Sequence, residues 1–342
     1  MAKILFIGDP HLKINKFELS MSFLKWLNIT IQELQPDIVV NLGDTFDTHA
    51  VTRSEIMTEF RHHVDFVMDN TDAQYLYILG NHDTYKPNDS KYHALKPMMG
   101  IHERFRVIEK RFDLDNITFV PYIHNPANFP KDTKEICVAH QTFIGADYGY
   151  MRPEDGVDPE LVCAELIISG HIHKRQNFGK VYYPGTPFAQ DAKDMDQIKG
   201  IILLETTSYE QVFIPSPLPK WRHLAYIISP ELSLEDIHLD IAANINVVDH
   251  WVLELTGTKT EIMGYLNSKK YLEAIKGVDI KPKHNFIDKD KRKIKIDSLS
   301  METIFAQYID KVYSGNLDKN KLKNIALEVL NETRQQGLKS KM

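Results

Sequence analysis

Short runs of apolar residues recur along the first two thirds of the chain, and most of them end in glycine or a polar residue. The runs are KILFIGD (3–9), DIVVNLGD (37–44), QYLYILGNHD (74–83), EICVAHQ (135–141), ELIISGHIH (165–173), KVYYPG (180–185) and GIILLE (200–205). Apolar runs of this length without alternation are typical of strands that are buried on both faces. The pattern therefore predicts sheets that are covered on both sides.

Two longer segments between these strands carry apolar residues at helical spacing. Segment 16–34 places Phe17, Met21, Leu24, Leu27 and Ile31 on one face, and segment 51–70 does so with Ile56, Phe60, Val64 and Val67. Strands that alternate with helices favour an α/β fold. Because the later strands are joined by short connections, we expect a mixed sandwich of two sheets flanked by helices.

The last third of the chain predicts a second domain. Three prolines within 213–221 favour an extended linker, which places the end of the first domain at residue 217. A small α+β domain is predicted over 218–290, with strands near 222–229, 250–257 and 278–287 and helices near 231–243 and 259–269.

The C-terminal region is basic and then amphipathic. Segment 281–297 contains seven Lys or Arg against three Asp, which is typical of a solvated linker. We assign this linker to residues 291–297. The alternative is a basic strip that contacts a nucleic-acid backbone. Residues 298–342 predict a pair of amphipathic helices, broken at Gly315 and Asn316. This pair docks either on its own domain or on a partner.

Composition narrows the functional class only slightly. The 342 residues suffice for one large and one smaller domain, and the formal net charge of −6 argues against a globally basic surface but leaves a local basic groove open. The two cysteines, Cys137 and Cys163, exclude a disulfide framework and are expected to be buried thiols. The N-terminus lacks a signal-peptide core and no apolar run has the length of a membrane span, so we expect a soluble, cytoplasmic protein.

Five of the predicted strands end in side chains that bind metals. These residues are Asp9, His11, Asp44, Asn81, His82, Asp83, His140, His171 and His173. A single Asp after glycine usually belongs to a turn or cap, and a single His is usually a polar strand end. Five such coincidences favour one shared site, because functional groups of α/β sheets gather beyond the carboxyl ends of the strands.

Seven of these side chains make up a candidate ligand set of two carboxylates, one amide and four imidazoles: Asp9, Asp44, Asn81, His11, His140, His171 and His173. Seven ligands exceed the needs of one ion, so the set predicts two divalent ions that share a carboxylate. Oxygen and nitrogen donors without thiolate favour manganese or iron, and zinc is compatible. Two ions about 3.5–4 Å apart support in-line attack on a phosphoester, which predicts phosphoester hydrolysis.

The spacing of the histidines adds local detail. In an extended H-x-H segment, His171 and His173 share a face and reach separate ions, while Ile172 points into the core. The sequence contains neither a G-x-S-x-G nucleophile elbow nor a G-x-x-x-x-G-K-[ST] phosphate loop. An ATP-hydrolysing motor would therefore have to be another chain.

The order D-x-H, GD-x-x-D, GNHD, H and GH-x-H, over about residues 5–175, resembles the calcineurin-like metallophosphoesterases. Within them, GDPHL, GDTFDT and YYPGTP (182–187) resemble the SbcD-type double-strand-break repair nucleases, in particular their phage-encoded exonuclease subunits. The resemblance implies a four-layer α/β/β/α sandwich with a small α+β capping domain and a C-terminal helix pair.

The resemblance also implies roles for the site residues. One ion is held by Asp9, His11, Asp44 and His173, with Asp44 bridging, and the second by Asn81, His140 and His171. His82 is the catalytic histidine that acts on the leaving oxygen without binding metal, and Asp83 orients it.

The implied activity is manganese-dependent 3′→5′ exonuclease cleavage of double-stranded DNA, with single-strand endonuclease activity. The implied partners are DNA, an SbcC-like coiled-coil ATPase that docks on residues 298–342, and a second copy of the chain, bound through helices near 51–70 and 91–102.

Two residues depart from the family pattern: Lys13 stands where relatives often have glycine, which opens a phosphate contact, and Asp47 stands where some place a histidine near the substrate. The alternative function is a small-molecule phosphodiesterase or protein phosphatase, which has no need of the segments after residue 217. A non-catalytic scaffold is disfavoured because the ligand set is intact.

Overall fold

The computed structural model describes residues 2–47, 52–86, 89–149, 155–229 and 231–287. Its strands and helices, in chain order, are β1 (Lys3–Ile7), α1 (Phe17–Leu34), β2 (Ile38–Asn41), α2 (Ser54–Asn70), β3 (Gln74–Ile78), β4 (Thr84–Lys86), β5 (Asp89–His93), β6 (Phe105–Ile108), β7 (Phe112–Leu114), β8 (Ile117–Val120), β9 (Ile136–His140), β10 (Leu166–Gly170), β11 (Gln176–Phe178), β12 (Val181–Tyr183), β13 (Gly200–Glu205), β14 (Gln211–Pro215), β15 (Trp221–Ile227), α3 (Leu234–Asn244), β16 (His250–Gly257), α4 (Lys259–Leu266), α5 (Lys269–Ala274) and β17 (Asp279–Phe286). Among the described helices, none combines the length and apolar character needed to cross a membrane.

Two six-stranded sheets form the first part of the molecule. Their strand orders are β14-β13-β1-β2-β3-β6 and β11-β12-β10-β9-β8-β7. The neighbours β1, β2, β3 and β6 are parallel, as are β8, β9, β10 and β12. Antiparallel strands complete the edges of both sheets. The predicted mixed two-sheet α/β sandwich is thus confirmed.

The layers follow from the burial of the strands. Helices α1 and α2 cover the outer face of the first sheet with apolar residues that include Leu24 and Phe60. A second cluster, with Phe6 and Ile168, fills the space between the sheets. The outer face of the second sheet is covered by loops that carry the one-turn 3-10 helices Pro126–Asn128 and Pro159–Leu161. Proline and glycine in these loops disfavour longer helices, so the described part of the fourth layer is irregular.

The described part of the C-terminal unit has its own parallel sheet, β15-β16-β17, and three helices. Helices α3 and α4 each begin with a capping box, from Ser233 and Thr258. The predicted order of strands and helices appears, except that the helix expected over 259–269 is two helices, α4 and α5. The basic linker (291–297) and the predicted tail helices (298–342) lie outside the described residues.

Two local predictions differ from the structure. Cys163 is exposed rather than buried, because its neighbours Val162 and Ala164 face the core and the chain alternates there; Cys137 is buried. Segment 91–102 does not form an α-helix and contains the end of β5 and a single 3-10 turn, Lys96–Met98. Pro97 and the positive φ of Gly100 disfavour a longer helix there.

His63 is a buried histidine of α2 that joins this helix to its surroundings. Its Nδ1 lies 2.5 Å from Asn28 Oδ1 and its Nε2 lies 3.1 Å from the Tyr75 hydroxyl. Burial lowers the pKa of His63 from 6.5 to about 3. Below about pH 6.5 the unfolded chain binds a proton that the folded protein excludes, so the free energy of unfolding falls as the pH drops towards about 3.

We expect His63 to lower the free energy of unfolding by about 2 kcal/mol between about pH 7.5 and pH 5. Urea unfolding of the wild type and of His63→Gln at both pH values measures this, because glutamine keeps polar atoms but does not titrate. The gap between the two proteins should narrow by that amount at the lower pH. Parallel pH dependences would contradict a neutral buried His63.

Candidate metal centre

All nine site residues predicted from the sequence lie at one edge of the sandwich. They follow or end β1, β2 and β3 of the first sheet and β9 and β10 of the second. The first two loops are tied together, since the amides of His11 and Leu12 donate to the carbonyls of Asp44 and Thr45 at 3.1 Å and 2.7 Å. The parallel strands thus bring residues 162 positions apart, such as His11 and His173, into one crevice.

The first cluster of donor atoms comes from Asp9, His11 and Asp44. One ligand atom from each of these residues lies within 4.8 Å of those from the other two. His173 extends the cluster from the second sheet, because its Nε2 lies 3.0 Å from His11 Nε2. These four residues are the set expected around one ion.

The second cluster comes from Asp44, His140 and His171, whose ligand atoms also lie within 4.8 Å of one another. Asn81 completes it with its amide oxygen, 3.1 Å from His140 Nε2 and 2.7 Å from His171 Nδ1. His171 and His173 therefore contribute to different clusters, while Ile172 between them is buried in the core. Asp44 is the residue that belongs to both.

The clusters contain buried polar atoms that lack a protein partner. Asp9 Oδ2 and His11 Nδ1 are buried without a hydrogen bond among the described residues. Asp9, Asp44 and His140 are also almost fully buried. Buried carboxylates and orphaned donors are costly unless a counter-charge compensates them. The residues present therefore fit two divalent cations.

The electrostatics of these side chains are dominated by burial and by one another. Burial, together with the charge of Asp44, raises the pKa of Asp9. Burial opposes ionisation of Asp44 as well, but the adjacent His140 holds the pKa of Asp44 well below its usual range. Burial and the charge of His140 lower the pKa of His171 to about 3. A neutral His171 imidazole is the form that binds metal.

Backbone groups orient the ligands from behind. His140 Nδ1 donates to the carbonyl of Leu42 at 2.6 Å, which leaves Nε2 as the atom that faces Asp44 and Asn81. The amide of His171 donates to Asp9 Oδ1 at 2.8 Å. These contacts fix which atom of each ligand points into the crevice.

Three ligands adopt a backbone conformation that is rare outside glycine. The φ angles are +42° at His11, +49° at Asp44 and +85° at His171. Each of them turns the chain sharply just beyond a buried strand. A Cβ at Gly80 would overlap the carboxylate of Asp44, so glycine is required where the two loops meet.

The GNHD loop presents His82 beside the clusters. The His82 amide donates to Asp44 Oδ1 at 2.8 Å, and its ring lies edge-on to that of His11, 5.1 Å between centroids. The carboxylate of Asp83 accepts from the amides of Asp44 and Gly80 and from the Tyr77 hydroxyl, at 3.0, 2.8 and 2.9 Å. Asp83 thus holds the loop that carries His82, through two backbone amides and the Tyr77 hydroxyl.

The two departures from the family pattern pair with each other. Lys13 Nζ lies 3.0 Å from Asp47 Oδ1, at the side of the centre where the loops after β1 and β2 run together. A cleft of about 210 Å³ opens next to them. The ammonium group of Lys13, for which the sequence suggested a phosphate contact, is thus paired with Asp47.

A buried ion pair supports the centre from the segment before β13. Lys199 Nζ lies 2.6 Å from Asp194 Oδ1 and donates to the carbonyl of His173 at 2.8 Å. The other oxygen of Asp194 accepts from the amide of Gln190, and the Gln190 side chain donates to the carbonyl of Pro10. This network holds the backbone next to His11 and at His173.

Aromatic residues near the second cluster escaped the sequence analysis. Tyr122 packs against His171, with 5.6 Å between ring centroids, and Tyr148 lies edge-on to it at 6.4 Å. Tyr122 and His124 line a cleft of about 710 Å³ beside the centre. The only signal was an aromatic residue two positions after the buried strand β8.

Comparison with known proteins agrees with this geometry. Residues 2–175, which are half of the chain and contain every residue of the two clusters, match the family described as Calcineurin-like phosphoesterase. The chain therefore belongs to the calcineurin-like phosphoesterases, and it is a metal-dependent phosphodiesterase by that membership and by its relatives.

Among its relatives, the chain is 22% identical over 333 residues to Exonuclease subunit 1 of Enterobacteria phage T4, covering 91% of this chain and 93% of that protein. It is also similar to two viral proteins named as phosphoesterases. The first is 078R of Invertebrate iridescent virus 3, with 25% identity over 80% of this chain and 81% of the relative. The second is 244L of Invertebrate iridescent virus 6, with 32% identity over 59% of this chain and 75% of the relative.

Proposed function

We propose that this protein is the nuclease subunit of an SbcCD-like DNA repair and recombination complex, which hydrolyses phosphodiester bonds of DNA. The proposed activities are 3′→5′ exonuclease cleavage of double-stranded DNA and endonuclease cleavage of single strands. The observation that supports it most directly is the similarity to Exonuclease subunit 1, because it extends over 91% of the chain and so beyond the phosphoesterase domain. A small-molecule phosphodiesterase has no need of that additional length.

In this proposal the metal centre is built as the two clusters suggest. Asp9, His11, Asp44 and His173 hold one ion, and Asn81, His140 and His171 hold the second together with Asp44. When bound, two divalent ions, most fittingly manganese, supply Lewis acidity that neutralises phosphate charge and acidifies water. The clefts on either side leave room for a polymeric substrate.

In this proposal, His82 of the GNHD loop acts on the leaving group. His82 donates a proton to the oxygen that departs from phosphorus, or stabilises its charge. Asp44 fixes the His82 amide, and Asp83 fixes the backbone of the same loop, so the ring stands at a defined place beside the first cluster. Tyr122 packs on His171 and limits the freedom of that ligand.

The proposed division of labour along the chain follows the sequence. Residues 1–217 form the nuclease domain, and residues 218–290 form a domain that caps it and contacts DNA. Residues 291–297 are a linker to residues 298–342, which bind an SbcC-like coiled-coil ATPase. We further propose a homodimer and an action in the cytoplasm, that of the host if the protein is phage-encoded. Since 91–102 is not an α-helix, α2 is the helix of this region available for a dimer contact among the described residues.

The test is a manganese-dependent assay on end-labelled duplex DNA, with and without the ATPase, beside bis(p-nitrophenyl) phosphate. We expect shortening from the 3′ end, a higher kcat/KM for DNA than for the small ester, and stimulation by the ATPase. Preference for the small ester, with no cleavage of DNA, would instead establish the small-molecule phosphodiesterase. The Asp44→Asn variant serves as the blank for contaminating nucleases.

Deletion of residues 298–342 tests the partner separately. We expect the shortened protein to keep its manganese binding and its hydrolysis of the small ester, because every described site residue lies before residue 200. Co-purification with a tagged ATPase should be lost. An undiminished complex would show that the ATPase binds elsewhere on the chain.

A further inference from the structure

The GNHD loop leads directly into an exposed hairpin with an unusual composition. Strands β4 and β5 pair antiparallel, and together they carry Tyr85, Lys86, Lys91 and Tyr92. Tyr85 is 61% exposed and Tyr92 is 56% exposed, so both large rings face solvent. Two solvent-facing rings on one short hairpin indicate a surface that binds another molecule.

Each of these rings is accompanied by a lysine. Lys86 Nζ lies 5.5 Å from the centre of the Tyr85 ring, and Lys91 Nζ lies 4.9 Å from that of Tyr92. Aromatic rings interleaved with cations are the chemistry that binds an unpaired nucleic-acid strand, since bases stack on the rings and phosphates meet the cations. An apolar protein partner would gain nothing from the lysines.

The hairpin is rooted in the catalytic loop. It begins one residue after Asp83, and the amide of Ala94 at its end donates to the Asp83 carbonyl at 2.9 Å. Tyr85 is three residues from His82, so its Cα lies at most about 11 Å away along the chain. That distance corresponds to about three nucleotides of a stacked strand.

A cationic cleft continues the hairpin surface. Lys91 also lines a cleft of about 600 Å³ with Arg106, Lys110 and Arg111, located where β6 ends. Because β6 is parallel to β3, this cleft and the metal centre lie at the same edge of the first sheet. Among the charged residues of the cleft, Glu109 is engaged by Lys96 at 2.5 Å, and Arg111 is paired with Asp113 and Asp132 at 3.3 Å and 2.8 Å. Such a cluster of cations is local, since the chain as a whole carries a formal net charge of −6.

We propose that hairpin β4–β5 and the cleft after β6 form the path of an unpaired DNA strand next to the metal centre. Tyr85 and Tyr92 stack with bases, and Lys91, Arg106 and Lys110 contact phosphates. This inference rests on the proposed nuclease function and specifies which strand form that site receives. A second copy of the chain is the competing occupant of the same surface.

The experiment uses the full-length protein and a fluorescein-labelled oligothymidine of about 20 nucleotides. Its Kd is measured by anisotropy in EDTA, and its KM is measured with manganese. Tyr85→Ala/Tyr92→Ala should raise both by at least about tenfold, whereas the matched control Tyr85→Phe/Tyr92→Phe stays near the wild type because phenylalanine also stacks. Hydrolysis of bis(p-nitrophenyl) phosphate should be unchanged in both. Lys91→Ala/Lys110→Ala should reduce the slope of log Kd against log salt by about 1.4.

The outcomes separate the two proposals. If the wild type cleaves DNA but the alanine variant keeps its Kd and KM, the path is wrong and the nuclease proposal stands. If the wild type neither binds nor cleaves DNA, the nuclease function fails first. If sedimentation velocity shows that the alanine variant turns a dimer into a monomer at unchanged DNA affinity per chain, the hairpin is a self-association surface and the path is overturned.

Discussion

Replacement of His82 by alanine is expected to lower the rate of DNA cleavage by about 10²- to 10⁴-fold while manganese binding persists. The ring of His82 stands beside the first cluster, and the residue belongs to neither donor set. Its amide contact with Asp44 involves the backbone and survives the substitution. The variant should therefore retain the centre and lose proton donation.

The leaving group provides a sharper readout. The alkoxide that leaves a DNA phosphodiester needs a proton, whereas p-nitrophenolate does not, so we expect His82→Ala to affect DNA far more than bis(p-nitrophenyl) phosphate. Calorimetric titration with manganese checks that the ions still bind. His62→Ala, on the exposed side of α2, is the matched control. Equal losses on both substrates, or loss of manganese binding, would contradict a role on the leaving oxygen.

Asp44→Asn is expected to have the larger effect, a loss of activity on the order of 10⁴-fold or more together with a loss of bound manganese. Asp44 is the residue shared by both clusters, and its carboxylate lies 3.2 Å from His140 Nε2. Asparagine keeps the size of the side chain but removes the charge that both ions would share. The two sites should fail together.

Two measurements check this prediction. Titration calorimetry should show fewer manganese ions per chain in the variant, and saturating manganese should raise the melting temperature of the wild type but not that of Asp44→Asn. Asp132→Asn, which changes an exposed carboxylate, controls for the loss of one charge. Full manganese stoichiometry in Asp44→Asn would rule out the bridging role.

The sequence indicated the site because its residues follow local rules. Each buried strand is a continuous apolar run, and the metal-binding side chains come at its carboxyl end, so the pattern predicted both the sheets and the crevice. The helical spacing likewise predicted α1 and α2. The strands, the helices and the positions of the site residues can therefore be predicted from a few neighbouring residues.

Contacts between distant segments had no comparable signal. Lys199 and Asp194 meet His173 only through the folded chain, and the packing of Tyr122 on His171 depends on the loops after β8 and β10, which lie on either side of β9. The irregular cover of that sheet was missed because loops rich in proline and glycine have no period to detect. Cys163 was assigned from the apolar character of its neighbours, which face the opposite way.

The left-handed backbone at His11, Asp44 and His171 also affects the stability of the fold. A non-glycine residue in this region costs on the order of 1–3 kcal/mol, and here the cost falls on three residues of the metal centre at once. Replacing these residues with glycine or asparagine would relieve the backbone strain, but it would also change the side chains of the metal centre. Stability of the fold and metal binding therefore make opposite demands on these three positions.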